Sequence, residues 1–495
     1  MVKMKMRLAF QIFIILTFPG LISFLSGCAF NPVSKRHEFV LMSEAQEIEL
    51  GQKLDPQIIE EYGYYEDDDL QDYIDSVGQK LARLCDRPDL YFRFKITNSP
   101  VVNAFALPGG YIYINRGLLA LLNSEAELAG VLGHEIGHVC ARHHVRQYTK
   151  QTSYQIISGI ATIIVPETKN LDPFADMAAL AIIRGFGREQ ELEADHLGMK
   201  YSSQADYDLK ALEDFLKILK RMEKESDKPG YHGLFSSHPE TGKRIREILK
   251  GKSKFGIKPG GEVLSNRYKS KIDGLLYGPD PREGVVTNNI FKHPVLSFEV
   301  IFPLGWEIEN RKTMLGAKHP EKDYYIQMKV QNLNKRSRIK IIADKVSRKM
   351  GLREVRGDLV KINGLSAYQG IYRGREASLG NISVTAAFII KEDKVYQLFG
   401  FSKPYVFDEA RHYFDKTIHS FRGLSRKEAK EIKPNRIRIY TIKKGDTLEN
   451  ITRRFGRKLE EVKKIAILNN LTIGDPLKMG EKIKIVIDKP LAGAY

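Results

Sequence analysis

His134 and His138 stand four residues apart, with Glu135 directly after the first, in the stretch V-L-G-H-E-I-G-H-V-C-A-R-H from Val131 to His143. On an α-helix such a pair lies one turn apart on one face, so two neutral imidazoles can hold one Zn²⁺ from the same side. Glu135 falls about 100° round the helix, where a carboxylate can take a proton from water at an open metal position. The flanks suit a helix. Ser124 followed by Glu127 reads as a capping box, and Leu128, Val131, Leu132, Ile136 and Val139 form an apolar stripe. By chance alone, H-E-x-x-H arises in roughly a few of every hundred chains of this His and Glu content, so the chemistry requires a third ligand elsewhere.

A candidate lies downstream in G-F-G-R-E-Q-E-L-E-A-D, Gly185 to Asp195. Glu191 and Asp195 are also four apart, hence on one helical face. Glu191 can complete a His₂Glu set with a fourth position left for water. Asp195 can accept a hydrogen bond from the far nitrogen of a ligand histidine and fix its tautomer. Glu189 and Glu193 compete for the ligand role, and periodicity does not exclude them. Cys140, about 200° round the helix from His138, cannot share the metal. His143, His144 and His196 fall off the ligand faces and read as packing or surface residues.

These residues need a fold to position them, and 495 residues is too long for one ordinary core. The 42% hydrophobic and 28% charged composition is that of a globular chain. The net charge of +17 points to acidic surroundings. No stretch resembles a nucleic-acid-binding module, which leaves anionic lipid and cell-wall carboxylates as partners. Three cysteines imply no disulfide framework.

Residues 43–255 read as a mainly α domain with a small sheet. Helices are expected from Ser43 to Lys53 and from Leu70 to Cys85. Strands are expected from Tyr91 to Thr97 and from Gly110 to Asn115, with a glycine turn at Gly109-Gly110. Two apolar runs, Ile156 to Val165 and Phe174 to Ile183, are too short to span a bilayer and read as a helical hairpin over the core. Residues 256–284 read as a linker. An α+β domain of unknown role follows at 285–425, and 426–436 reads as a second linker. Within the α+β domain, Phe302-Pro303-Leu304-Gly305-Trp306 resembles an early strand-turn of PsbP-like domains.

At the start, Lys3, Lys5 and Arg7 precede an apolar run from Leu8 to Leu25 that ends in Leu25-Ser26-Gly27-Cys28. This resembles a bacterial lipoprotein signal, 1–27, with 28–42 as tether. The resemblance implies cleavage before Cys28 and its lipidation, and Ala29 after it suits the outer rather than the inner membrane.

H-E-I-G-H with E-L-E-A-D, preceded by N-A-F-A-L-P-G-G-Y-I-Y-I-N, resembles the HtpX/BepA-type zinc metallopeptidases, relatives of the CAAX prenyl proteases, over about residues 30–250. The resemblance implies one Zn²⁺ per chain held by His134, His138 and Glu191, with Glu135 as general base and acid and Asp195 as the orienting carboxylate. It implies an edge strand beside the cleft around Asn103, Ala104, Phe105, Gly109 and Gly110, which binds extended substrate by strand addition. It also makes His238, in Ser237-His238-Pro239, an active-site residue that either blocks the metal or faces the developing oxyanion.

The last unit, 437–488, reads strand–helix–helix–strand. Y-T-I-K-K-G-D-T-L at Tyr440 to Leu448, with I-L-N-N-L at Ile467 to Leu471, resembles a βααβ LysM domain. The resemblance implies binding of the N-acetylglucosamine chains of peptidoglycan through Gly445, Asp446, Thr447, Leu448, Asn469 and Leu471. Arg436 to Lys489 carries 14 Lys and Arg against 7 Asp and Glu, which favours a carboxylate-bearing polymer.

The expected protein is therefore a lipid-anchored zinc endopeptidase of the bacterial periplasm that acts on misfolded or stalled envelope proteins. Two alternatives are a chaperone-like assembly factor with a latent protease site and a non-catalytic peptidoglycan-binding scaffold.

Overall fold

The computed structural model describes residues 28–157, 185–225, 260–311, 314–333 and 338–488. The chain divides into two compact units, one from Met1–Tyr277 with Arg436–Ile487, the other from Gly278–Asn435 with Asp488–Tyr495.

The first unit opens with a hairpin of β1 (Cys28–Asn31) and β2 (Arg36–Phe39), where the sequence suggests only a tether. Val40 and Met42 after it are buried with Leu50 and Phe105. Helix α1 (Glu44–Tyr62) starts from a complete capping box of Ser43 and Gln46. It continues past the expected end at Lys53 and runs through Pro56. Helix α2 (Asp68–Ala82) is capped by Asp67, and Asp68 and Asp69 place carboxylates at its positive end.

A three-stranded sheet follows, with β3 (Arg93–Thr97) parallel to β5 (Tyr111–Asn115), and β4 (Ala104–Leu107) antiparallel to β5 at the edge. The β4–β5 turn lies against α1. Gly109 has φ +77°, and a Cβ there would come within 2.6 Å of the Ile48 Cα, so only glycine fits.

Two helices come next, α3 (Arg116–Leu121) and α4 (Glu125–Cys140), and every residue of α4 is buried. The Ser124 hydroxyl accepts from the Glu127 amide at 3.1 Å. The Glu127 carboxylate accepts from Asn123 N at 2.7 Å instead of completing the expected box. Around α4 pack α5 (His143–Ile157), α6 (Arg188–Gln204), α7 (Lys210–Glu225) and α8 (Ser265–Lys271). Leu128, Leu132 and Ile136 share one core with Leu197, Leu212 and Tyr268. Of the expected hairpin over 156–183, Ile156 and Ile157 end α5 and the rest lies outside the described residues.

Helix α8 and strand β6 (Leu276–Tyr277) correct the linker reading of 256–284. Tyr268 is fully buried and donates to Leu119 O at 2.6 Å, so the described part of this segment belongs to the core.

In the second unit, a seven-stranded antiparallel sheet runs in the order β10-β11-β12-β16-β15-β14-β13. A four-stranded sheet holds β7 (Val285–Thr287), β8 (Ile290–His293), β9 (Phe298–Ile301) and β17 (Arg422–Gly423). The seven strands are β10 (Glu307–Arg311), β11 (Met314–Lys318), β12 (Tyr325–Asn332), β13 (Arg353–Ile362), β14 (Leu365–Glu376), β15 (Gly380–Lys391) and β16 (Lys394–Ser402). Helices α9 (Ile339–Lys349) and α10 (Phe407–Ser420) pack on this sheet. The segment read as a second linker contains α11 (Arg426–Glu431), closed by a Ser425–Glu428 capping box.

The remaining part of the first unit is β18 (Asn435–Thr441), α12 (Leu448–Arg454), α13 (Val462–Leu468) and β19 (Lys482–Asp488), the expected βααβ order. It is joined to the helical core by β6, which completes a sheet in the order β19-β18-β6. Ile437 N donates to Leu275 O at 2.8 Å, and Ile437, Leu468 and Val486 enter the same core as α4. Lys484 is fully buried, and its ammonium donates to the carbonyls of Ala120, Leu121 and Leu122 at 2.8, 2.8 and 2.7 Å. Among the described residues no helix is long and apolar enough to cross a membrane.

Candidate active site

The site forms where α4 crosses α6, and glycines set how closely they approach. A Cβ on Gly198 of α6 would lie 2.8 Å from His134 N, and one on Gly133 would lie 3.0 Å from Gly198 O. Gly137 meets Ala194 in the same way, at 3.0 Å from its carbonyl. Backbone contact at these points lets short side chains from the two helices converge.

His134 and His138 turn their Nε2 atoms toward each other at 2.9 Å. The Glu191 carboxylate closes the triangle, at 3.6 Å from His134 Nε2 and 3.5 Å from His138 Nε2. The donor atoms lie within 4.8 Å of one another and all three residues are buried. Tetrahedral zinc with bonds of 2.0–2.1 Å needs donor separations of about 3.3 Å, so this set fits the ion. Glu135 is also buried, beside His134 on the same helix. Of the competing carboxylates, Glu193 faces away to His143 and Arg146, at 3.0 and 2.9 Å. Glu189 is exposed.

The far nitrogens of both histidines are engaged. His134 Nδ1 lies 2.9 Å from Asp195 Oδ1, as the i, i+4 spacing suggests. His138 Nδ1 lies 2.8 Å from His143 Nδ1, a partner the sequence reading assigns to packing. A continuous helix would carry His143 about 140° away from His138. Helix α4 instead ends at Cys140, and Arg142 takes a left-handed φ of +54°, which folds His143 back. Glu47 holds that turn, accepting from Arg142 Nε at 3.0 Å and from Arg87 Nη1 at 3.1 Å. Phe186 stacks on His138 at 4.2 Å between centroids. Cys140 is buried in the core, and His144 buries both ring nitrogens while its ring meets Phe186 edge-on. Burial holds the His143 imidazole below its ordinary pKa and pushes that of His144 down to about 4.

Strand β4 carries Ala104 and Phe105 at the sheet edge and packs beside α4. Asn103 precedes it, its carbonyl accepting from Asn115 N at 2.9 Å. All of Ala104–Leu107 is buried, as are Asn103, Gly109 and Gly110. His238 lies outside the described residues, and Cys28 opens β1.

Among the residues expected to bind glycan, Gly445 sits at φ +83° and Asp446 accepts from Lys443 N, Tyr440 OH and Arg454 at 2.8, 2.8 and 2.9 Å. Thr447 caps α12 and Leu448 is buried. Asn469 exchanges hydrogen bonds with the Lys484 backbone at 2.8 and 2.7 Å. Leu471 O accepts from Arg221 of α7 at 3.3 Å. These side chains set the shape of two loops.

Residues 68–252 match the family model described as peptidase family M48, and residues 440–486 match the LysM domain. The chain carries a peptidase family M48 domain and a LysM domain. The chain is similar to the mitochondrial metalloendopeptidase OMA1 of Schizosaccharomyces pombe, 28% identical over 46% of this chain and 68% of that one. It is also similar to the beta-barrel assembly-enhancing protease of Escherichia coli K12, 27% identical over 42% of this chain and 44% of that one. The chain thus spans about two thirds of the first relative and under half of the second. The solution structure of cyanobacterial PsbP from Synechocystis sp. PCC 6803 aligns with 28% of the chain and 95% of its own, at 12% identity and a TM-score of 0.23. The M48 domain holds the His134–His138–Glu191 triangle described above.

Proposed function

We propose that this protein is a zinc-dependent endopeptidase of the bacterial cell envelope. The observation that carries the proposal is the buried triangle of His134 Nε2, His138 Nε2 and a Glu191 carboxylate, within an M48 domain. These three residues would hold one zinc ion. The chemistry the ion supplies when bound is Lewis acidity toward a water and a peptide carbonyl. Glu135 takes the proton of the attacking water and passes it to the leaving nitrogen as the peptide bond breaks. Asp195 keeps the proton on His134 Nδ1, so that Nε2 presents its lone pair. An extended substrate adds to the edge of the sheet at β4, and Asn103 to Gly110 shape that edge.

The envelope assignment rests on the LysM domain, on the LSGC sequence ending at Cys28 and on similarity to a beta-barrel assembly-enhancing protease. The chain is lipidated at Cys28, faces the periplasm from the outer membrane and grips peptidoglycan through the loops at Gly445–Leu448 and Asn469–Leu471. Its substrates are misfolded or stalled envelope proteins.

The burial of Glu135, His138 and β4 favours a second reading, in which the resting enzyme is latent and acts mainly as an assembly factor. Casein cleavage by wild type and by His238→Ala separates the two. Cleavage by the wild type supports an active resting state, whereas cleavage only by the variant supports latency. Zinc content of His134→Ala and Glu191→Ala tests the metal itself. Retention of one zinc per chain in both would refute the ligand set.

A further inference from the structure

We propose that His143, braced by Glu193, is the positioning residue that orients His138 as a metal ligand. The inference deepens the metal-site reading above and rests on it. His138 presents Nε2 to His134 and Glu191, while its Nδ1 lies 2.8 Å from His143 Nδ1. Two ring nitrogens at that distance need one donor and one acceptor. With the His138 Nε2 lone pair given to a metal, the proton sits on His138 Nδ1, and His143 Nδ1 must accept it. His143 then carries its own proton on Nε2, which lies 3.0 Å from the Glu193 carboxylate. Arg146 Nη1 donates to the same carboxylate at 2.9 Å. Each tautomer in the relay therefore follows from the one before.

The surroundings suit this role. His138 and His143 are both fully buried, so water does not compete for either nitrogen. Phe186 stacks on the His138 ring and packs against His143 at 5.6 Å, which fixes both ring planes. The left-handed turn at Arg142 brings His143 within reach, and Glu47 pins that turn. The two ligand histidines thus have unlike supports. His134 donates directly to a carboxylate, whereas His138 donates to a neutral imidazole backed by one. Partners of this kind typically contribute 10–100-fold in metal affinity.

The test is zinc affinity of the purified full-length chain, by competition with a chromophoric chelator, for wild type, His143→Leu, His143→Asn, Glu193→Gln and His134→Ala. The asparagine oxygen can still accept from His138 Nδ1, whereas leucine cannot. His143→Leu is expected to weaken zinc binding about 10–100-fold. His143→Asn should recover most of that loss, and the metal-free proteins should melt together. Glu193→Gln, at a half-buried side chain that does not threaten the core, should weaken zinc several-fold. Wild-type affinity in His143→Leu, or equal losses for leucine and asparagine, would overturn the proposal. Loss in His134→Ala without loss in His143→Leu would leave the metal site standing and remove only the relay. Failure of the wild type to bind zinc would remove both.

Discussion

At the residue scale, the site's histidines differ in what burial does to them. His144 lies outside the His134–His138–Glu191 triangle, buries both ring nitrogens, and has its pKa pushed down to about 4 from an ordinary 6.5. The unfolded chain therefore takes up that proton first as pH falls. The stability gained from keeping His144 neutral is present above pH 6.5 and declines as pH falls from there to 4. At the acid end the loss is about 3 kcal/mol. Chemical denaturation of the metal-free protein across this range should show a flatter acid limb in His144→Phe than in wild type. Identical limbs would refute the assignment. The residues of the His134–His138–Glu191 triangle are legible in the sequence because each helix carries its pair at i, i+4, a spacing that survives any packing. His143 is not, because its position depends on a left-handed residue at Arg142 that no periodicity reveals.

At the scale of elements, the contact of α4 with α6 depends on having almost nothing between the backbones. Gly198→Ala would place a methyl 2.8 Å from His134 N, and the colliding atom is backbone that cannot rotate away. The helices must separate, at a cost of about 1–3 kcal/mol. Zinc affinity should fall with stability, because Glu191 and Asp195 move with α6. Calorimetry and zinc competition on Gly198→Ala check this, and an unchanged melting temperature and affinity would contradict it. The glycines at 133, 137 and 198 are visible in the sequence, but their role appears only once α4 and α6 are known to cross there. The short helices α8 and α11 escape the sequence reading because their Gly-, Lys- and charge-rich surroundings look like linker. What makes α8 structural is Tyr268, whose burial is a tertiary fact.

At the scale of the whole molecule, strand order and composition make the βααβ unit legible but not its attachment. In the strand Lys482–Asp488, Lys484 reads as one more basic residue of a wall-binding surface. In the fold it is buried, its charge held by three carbonyls ahead of α4 and opposed by the cost of leaving water. Glu127 on α4 shares this region, and burial raises its pKa to about 7. The LysM domain is therefore part of the peptidase unit and not a module on a string. Lys484→Met should cost about 1–3 kcal/mol in chemical denaturation, as expected when buried carbonyls lose their donor. A chain ending at residue 435 should lose the cooperative melting of its peptidase unit. A truncated chain that melts like the full one would show the two parts to be independent.

The proposed chemistry depends on one pair of helices, α4 and α6, which bring His134, His138 and Glu191 together beside Glu135. The most direct test compares wild type with Glu135→Gln for zinc content and casein cleavage, with His238→Ala introduced into both chains so that a latent site is also read. One zinc per chain is expected in every form, with cleavage only where Glu135 is present. Cleavage by a chain carrying Glu135→Gln, or its loss of zinc, would contradict the assignment of Glu135 as the proton-transfer group.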